Sequence, residues 1–399
     1  MRISFISYWG YEDPLCTTTV IPHVHLLQED PRVSQVHLLT FERCSPKKFH
    51  SEDLPHHPIF QPYLPYGLHF PLSYLKAAWR LLSLHKEHSF DLVICRSVFA
   101  GVLGHFLFKL YGVPYTVESF EPHASYMIEN GVWQKNGIKA RFFSHFESMA
   151  CETATKLLPV SENFATHLKN HQGVPDSKIT TVPCTVEVEQ YAFSEPSRAR
   201  IRSLLDIPDD APVVIYVGKF GGVYLGEEAI NFLVEMLASN SKSYLLLLSD
   251  PEHPVCQALA ASLVSDRIRA TLSPADEVSH YLSAADIGLV LTRPTQTSDY
   301  CSSVKVGEYW ANGLPILTTT KSGDDSAYLK KSEFGLVATP DHFIEPASFP
   351  WDSLWSLAAK RPNVIEKIQE IARTRRSRDI CRCAYRELLD LIVLTSSPS

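Results

Sequence analysis

Ser302-Ser303-Val304-Lys305-Val306-Gly307-Glu308-Tyr309-Trp310-Ala311-Asn312-Gly313-Leu314-Pro315-Ile316-Leu317 carries more architectural information than any other stretch of this chain. A strand-length apolar run at 287–291 and a polar loop precede it, and Gly313-Leu314-Pro315 leads into another apolar run at 316–319. Strand, crossover helix and strand in that order make the unit of a parallel sheet. Ser302 and Ser303 are helix-capping residue types, which points the first-turn N–H groups at the carboxyl end of that sheet. The positive end of the helix dipole there suits a diphosphate. Lys305, in the first turn, adds a cation, and Glu308 follows one turn later on the same face. A carboxylate so placed accepts two vicinal hydroxyls, as a ribose offers. The same residues also read as a plain capping pattern with a solvated lysine, and this segment alone leaves both readings standing.

Val213-Val214-Ile215-Tyr216-Val217-Gly218-Lys219-Phe220-Gly221-Gly222 is a strand that ends in a glycine loop with a basic residue. Gly218 and Gly221 let backbone amides come close to an anion, and Lys219 supplies charge. Apolar runs at 213–217, 244–248, 287–291 and 316–319 make this half an α/β series. An earlier series has runs at 3–7, 36–39, 92–95, 115–118 and 156–160. Helical patterns lie between them at 21–28, 75–86, 101–111 and 137–153. A polar stretch at 185–212 separates the two. The expectation is two Rossmann-like, doubly wound domains facing a cleft, residues 1–190 and 191–375, with a terminal helix at 376–394 packing back on the first.

The chain has 399 residues, enough for two such cores at about 150 residues per domain. Its 37 Lys and Arg against 44 Asp and Glu leave a net charge of −7, a poor footing for nucleic-acid binding. Nine scattered cysteines contain no Cys-x-x-Cys pair, so neither a zinc site nor a disulfide framework is expected. No apolar run approaches the roughly 20 residues that cross a bilayer. A cytoplasmic protein is expected, with room for peripheral contact at the inner membrane face.

Gly218-Lys219, Ser283-Ala284-Ala285-Asp286-Ile287-Gly288-Leu289 and Val304 to Pro315, taken in order, resemble the donor domain of retaining GT-B glycosyltransferases. The similarity is greatest to glycosyltransferase family four, runs from roughly residue 85 to residue 340, and is strongest from Lys156 onward. It implies two Rossmann-like domains, a nucleotide-sugar donor as co-substrate, no metal and no other cofactor, and a glycan, lipid-linked or small-molecule acceptor. Ser303, Val304, Lys305 and Lys219 would then face the donor phosphates. Glu308 would match the second glutamate of the family's E-x(7)-E motif, which binds the ribose. The first glutamate falls at Tyr300, with Asp299 beside it as a substitute. Gly10, after the first strand, is a close-approach glycine, and it lacks the G-x-G-x-x-G run of a nicotinamide site.

In the first domain Tyr115-Thr116-Val117-Glu118-Ser119-Phe120-Glu121-Pro122-His123 stands where the family often places a histidine near the reacting sugar. Glu118, Glu121 and His123 are the expected catalytic residues, orienting the donor sugar or taking a proton. A sugar-nucleotide epimerase or hydrolase, or a non-catalytic scaffold, would share the architecture. Leu75, Trp79 and Leu82 are expected to pack into their own domain. A membrane contact through the same helix, with Lys76, Arg80 and Lys86, is the alternative. The arginines of 364–394 read as a solvated face, and the tail 395–399 as disordered.

Overall fold

The computed structural model describes residues 1–43, 54–60, 66–119 and 121–396. The chain divides into Met1–Pro183 with Asp379–Ser399, and Cys184–Arg378. The first crossing thus falls at Pro183 rather than 190, and the chain returns at Asp379 rather than 376. The first unit holds β1 (Arg2–Ser7), β2 (Gln35–Glu42), β3 (His56–Phe60), β4 (Leu92–Arg96), β5 (Tyr115–Ser119) and β6 (Lys156–Pro159). The second holds β7 (Val213–Val217), β8 (Tyr244–Leu248), β9 (Ile268–Thr271), β10 (Ile287–Val290), β11 (Ile316–Thr319) and β12 (Gly335–Ala338).

Both sheets are parallel throughout, ordered β3-β2-β1-β4-β5-β6 and, read from its far end, β9-β8-β7-β10-β11-β12. These are two copies of the doubly wound order, whose direction reverses between β1 and β4 and again between β7 and β10. The central strands read as continuous apolar runs because helices cover both faces. Helix Glu228–Ala238 shows the matching pattern, with Ala229, Phe232, Leu233, Met236 and Leu237 all fully buried at helical spacing.

Four expectations change. β3, β9 and β12 are additional edge strands, and β3 contains Pro58, which an edge tolerates because no neighbour needs its missing N–H. The terminal helical pattern is broken: helices Ile365–Arg376 and Arg378–Ser396 meet at Ser377, which is extended and bridges to Val186. That break hands the chain from the second unit to the first. Arg376 is not a solvated residue of this pattern, because its guanidinium is buried on Asp325 and Ser302. On helix Tyr66–His88, Leu75 and Trp79 point outward, 67% and 71% exposed, against the expected packing. The last helix runs through Ser396, and 397–399 lie outside the described residues.

Candidate functional site

In the second unit, Gly218 follows β7 and Lys305 opens helix Val304–Ala311 after β10, so the two strands that flank the reversal carry the two segments. A Cβ on Gly218 would lie 2.9 Å from Cε and Nζ of Lys305, and only glycine leaves that space. The ammonium sits 3.4 Å above the Tyr224 ring centroid and 5.3 Å from that of Tyr216. It is buried without a hydrogen-bond partner among the described residues, as is the Ser303 hydroxyl. The aromatic faces offset part of the desolvation of the charge, but a buried ammonium has three donors to satisfy. An anion at this helix start would satisfy them.

Helix Val304–Ala311 is held from behind. The Tyr309 hydroxyl donates to Leu289 O at 3.1 Å and accepts from Val217 N–H at 3.2 Å, tying it to β10 and β7. Gly288 makes the seat for this ring, since a Cβ there would come within 2.3 Å of it. Ser302 accepts from Cys184 N–H at 3.2 Å and from Arg376, which leaves Ser303 as the open hydroxyl. Glu308 is buried, and burial pushes its carboxyl pKa up, with the Tyr191 hydroxyl and the Lys305 charge pulling the other way.

The remaining residues of the donor expectation are placed differently from one another. Lys219 is exposed. The N–H groups of Gly218 and Gly221 bond Leu248 O at 2.9 Å and Leu225 O at 3.1 Å, so neither donates to an anion. Both lie in the left-handed region, at φ +116° and +80°. Val304 is the first residue of the helix, and Asp299 lies half-buried in the 3-10 turn Thr297–Tyr300 ahead of it. Gly10, in the other unit, is a correction. A Cβ there would come 2.6 Å from Glu42 Oε2, so the space it leaves is filled by a side chain of β2. Tyr224 is what sequence reading missed, and an aromatic one position before Leu225 is too common a feature to signal itself.

In the first unit the three expected catalytic residues separate. Glu118 is 2% exposed, with Arg96 at 2.5 Å, the Tyr385 hydroxyl donating to it and His23 at 3.6 Å. Burial alone would raise its pKa, but Arg96 and His23 outweigh that and hold it at about 2. Its partners are internal, and through Tyr385 it anchors the terminal helix; it is a structural anion, which corrects the catalytic expectation. Glu121 and His123 do come together, Oε1 to Nδ1 at 2.7 Å. The ring lies edge-on to Phe99 and Trp133, and its buried Nε2 has no partner among the described residues. A carboxylate on one ring nitrogen and an open second nitrogen make a group able to orient a hydroxyl or move a proton.

Two further residues join this edge. Glu147, on helix Ile138–Thr153, accepts from Ala124 N–H at 3.3 Å, and burial pushes its pKa up to about 7 against the pull of His123. The signal was an acid at the buried spacing of Ala140, Phe143 and Ala150. Ser97 follows β4 at φ +80° with a buried, unpartnered hydroxyl, a strained position for a residue with a Cβ.

The Glycosyltransferase Family 4 model matches residues 29–190, which is most of the first unit. Residues 29–190 therefore resemble a family-four glycosyltransferase domain. The match shares only residues 156–190 with the stretch from Lys156 onward that carries the clearest motifs. The lipopolysaccharide core biosynthesis glycosyltransferase LpsE of Rhizobium meliloti is 30% identical over 138 residues, 34% of this chain and 37% of that relative. Among solved structures, sucrose-phosphate synthase of Thermosynechococcus elongatus aligns with a TM-score of 0.76 at 16% identity, covering 99% of this chain and 100% of that one. HepE of Anabaena, solved in complex with UDP, aligns at 0.72 and 14% identity, covering 98% and 100%. These likenesses show that the chain shares their two-sheet fold over nearly its whole length.

Proposed function

We propose that the chain is a retaining glycosyltransferase that moves a sugar from a nucleotide-sugar donor to a glycan or lipid-linked acceptor, with protein cations neutralising the leaving diphosphate. One observation carries this reading: the buried Lys305 ammonium, without a hydrogen-bond partner among the described residues, at the start of a helix over the reversal point of the second sheet. The diphosphate takes the electron pair of the breaking glycosidic bond, and a fixed cation and helix dipole stabilise that growing charge. Ser303 and the Val304 amide would bind phosphate oxygens, Lys219 would close over them, and Glu308 would accept the ribose hydroxyls. Asp299 would meet the sugar. In the first unit, His123, oriented by Glu121, would hold a donor-sugar hydroxyl or take the acceptor proton.

HepE, one of the proteins of like fold, has been solved with UDP-glucose, which makes uridine nucleotides the first probes to use. Calorimetric titration with nucleoside diphosphates and their sugar conjugates should find one that binds. Lys305→Ala should weaken that binding by at least about tenfold, the worth of a charge-assisted contact, with the melting point preserved. Equal affinity in the variant rejects the site. Donor consumption that needs no acceptor and returns an isomeric sugar nucleotide favours an epimerase instead.

A further inference from the structure

Helix Tyr66–His88 buries Ser73, Ala77, Leu81 and Leu84 and turns Leu72, Leu75 and Trp79 outward, 44%, 67% and 71% exposed. The outward residues recur at helical spacing, so they form one stripe rather than scattered exposures. Lys76 and Lys86 are exposed on the same helix, and its one acid is Glu87 in the last turn.

The stripe continues onto two neighbouring helices. Helix Val98–Tyr111 runs alongside: Tyr74 Oη donates to Phe99 O at 2.8 Å near its start, and the rings of His85 and Tyr111 lie 4.9 Å apart at its end. With both ends matched, Trp79 stands level with the middle of that helix, where Phe106 is 45% exposed and Leu110, one turn on, 63%. Phe106 in turn reaches Phe146 of helix Ile138–Thr153 at 5.8 Å, beside the exposed Phe142. Lys109 and Arg141 are exposed among them, and helix Val98–Tyr111 carries no acid. The molecule has a net charge of −7, yet on these three helices Lys76, Arg80, Lys86, Lys109, Lys139 and Arg141 stand against Glu87, Glu147 and Glu152, so the layer is locally cationic.

We propose that the layer formed by helices Tyr66–His88, Val98–Tyr111 and Ile138–Thr153 docks on an anionic phospholipid bilayer, with Leu75 and Trp79 entering the headgroup boundary and Lys76, Lys86 and Lys109 facing lipid phosphates. Charge complementarity selects this occupant: an apolar stripe edged by lysines matches the interfacial layout of apolar chains beneath anionic headgroups, and tryptophan favours that boundary. A protein partner would find the same stripe without needing the lysines.

The test is sedimentation of the full chain with phosphatidylcholine vesicles, with and without phosphatidylglycerol. Binding should require phosphatidylglycerol and weaken as salt rises. Leu75→Ser with Trp79→Ser should lower it by about tenfold or more, and Lys76→Glu with Lys86→Glu by a similar factor, with unchanged melting points since all four are surface positions. Nucleotide affinity should be untouched, which keeps this result separate from the donor site. Absence of binding to anionic vesicles overturns the proposal, as does binding that ignores both double variants. So does a wild-type dimer that Leu75→Ser with Trp79→Ser converts to monomer, because a second copy is then the occupant.

Discussion

Gly288 shows how a residue with no side chain sets the position of one with chemistry. Its missing Cβ seats the Tyr309 ring, and the Tyr309 hydroxyl then locks helix Val304–Ala311 to β7 and β10. The phase of that helix lays Lys305 against Gly218. Gly288→Ala should therefore cost about 1–3 kcal/mol in urea denaturation, as overpacking in a tight core does. It should also weaken nucleotide binding although Gly288 lies beneath the proposed phosphate site; full stability and full affinity together would refute this chain of support. Lys305 and Glu308 could be singled out in sequence as a cation and an acid one turn apart at a helix start, although a plain capping pattern reads the same way. Glu118 was misjudged because its partners, Arg96, His23 and Tyr385, are distant in sequence and give no local sign that the carboxylate is already satisfied. Glu121 and His123 are two residues apart, and so their pairing could be read.

Elements that rest on a continuous apolar run were placed well: β7, β8 and β11 begin and end where the sequence puts them. Edge strands were not, because β3 is His56-His57-Pro58-Ile59-Phe60 and needs only one neighbour, so no apolar run announces it. Nor was the break at Ser377 visible, since the helical periodicity continues on both sides of it and the cause is a backbone bridge to Val186. Asp286 joins elements that sequence separates. It accepts from Arg202 at 2.9 Å, from Arg198 at 2.9 Å and from Val213 N–H at 2.8 Å, with Arg361 at 3.9 Å. Burial pushes the Arg361 pKa down to about 9 even with Asp286 beside it, the largest charge that supports this cation. Asp286→Ala should destabilise the second unit by about 3–5 kcal/mol, the cost of orphaning buried charge. Urea unfolding checks it, and a loss below about 1 kcal/mol would mean the arginines find other partners.

The two units should answer acid differently, because their buried titratable groups differ in kind. In the first, burial pushes His37, His56 and His57 down to about 4, and lowers His85, His105 and His167 as well. An unfolded chain binds these protons near pH 6.5, so between there and about pH 4 it holds more protons than the folded unit, and stability falls as pH falls. Glu147, raised to about 7, works in the opposite sense over part of that window, one group against six. In the second unit the buried acids Glu308 and Asp325 are raised by burial, which favours the folded state as pH drops. Scanning calorimetry at pH 7 and pH 5 should therefore show one transition moving to lower temperature and one holding or rising. Trp9, Trp79 and Trp133 of the first unit, set against Trp310, Trp351 and Trp355 of the second, let single-tryptophan fluorescence assign each transition. A parallel shift of both transitions would show that the imidazoles near β2 and β3 do not govern the acid limit of the first unit. Replacing His56 and His57 together by asparagine, which carries no titrating proton, should flatten the pH dependence of the first transition alone.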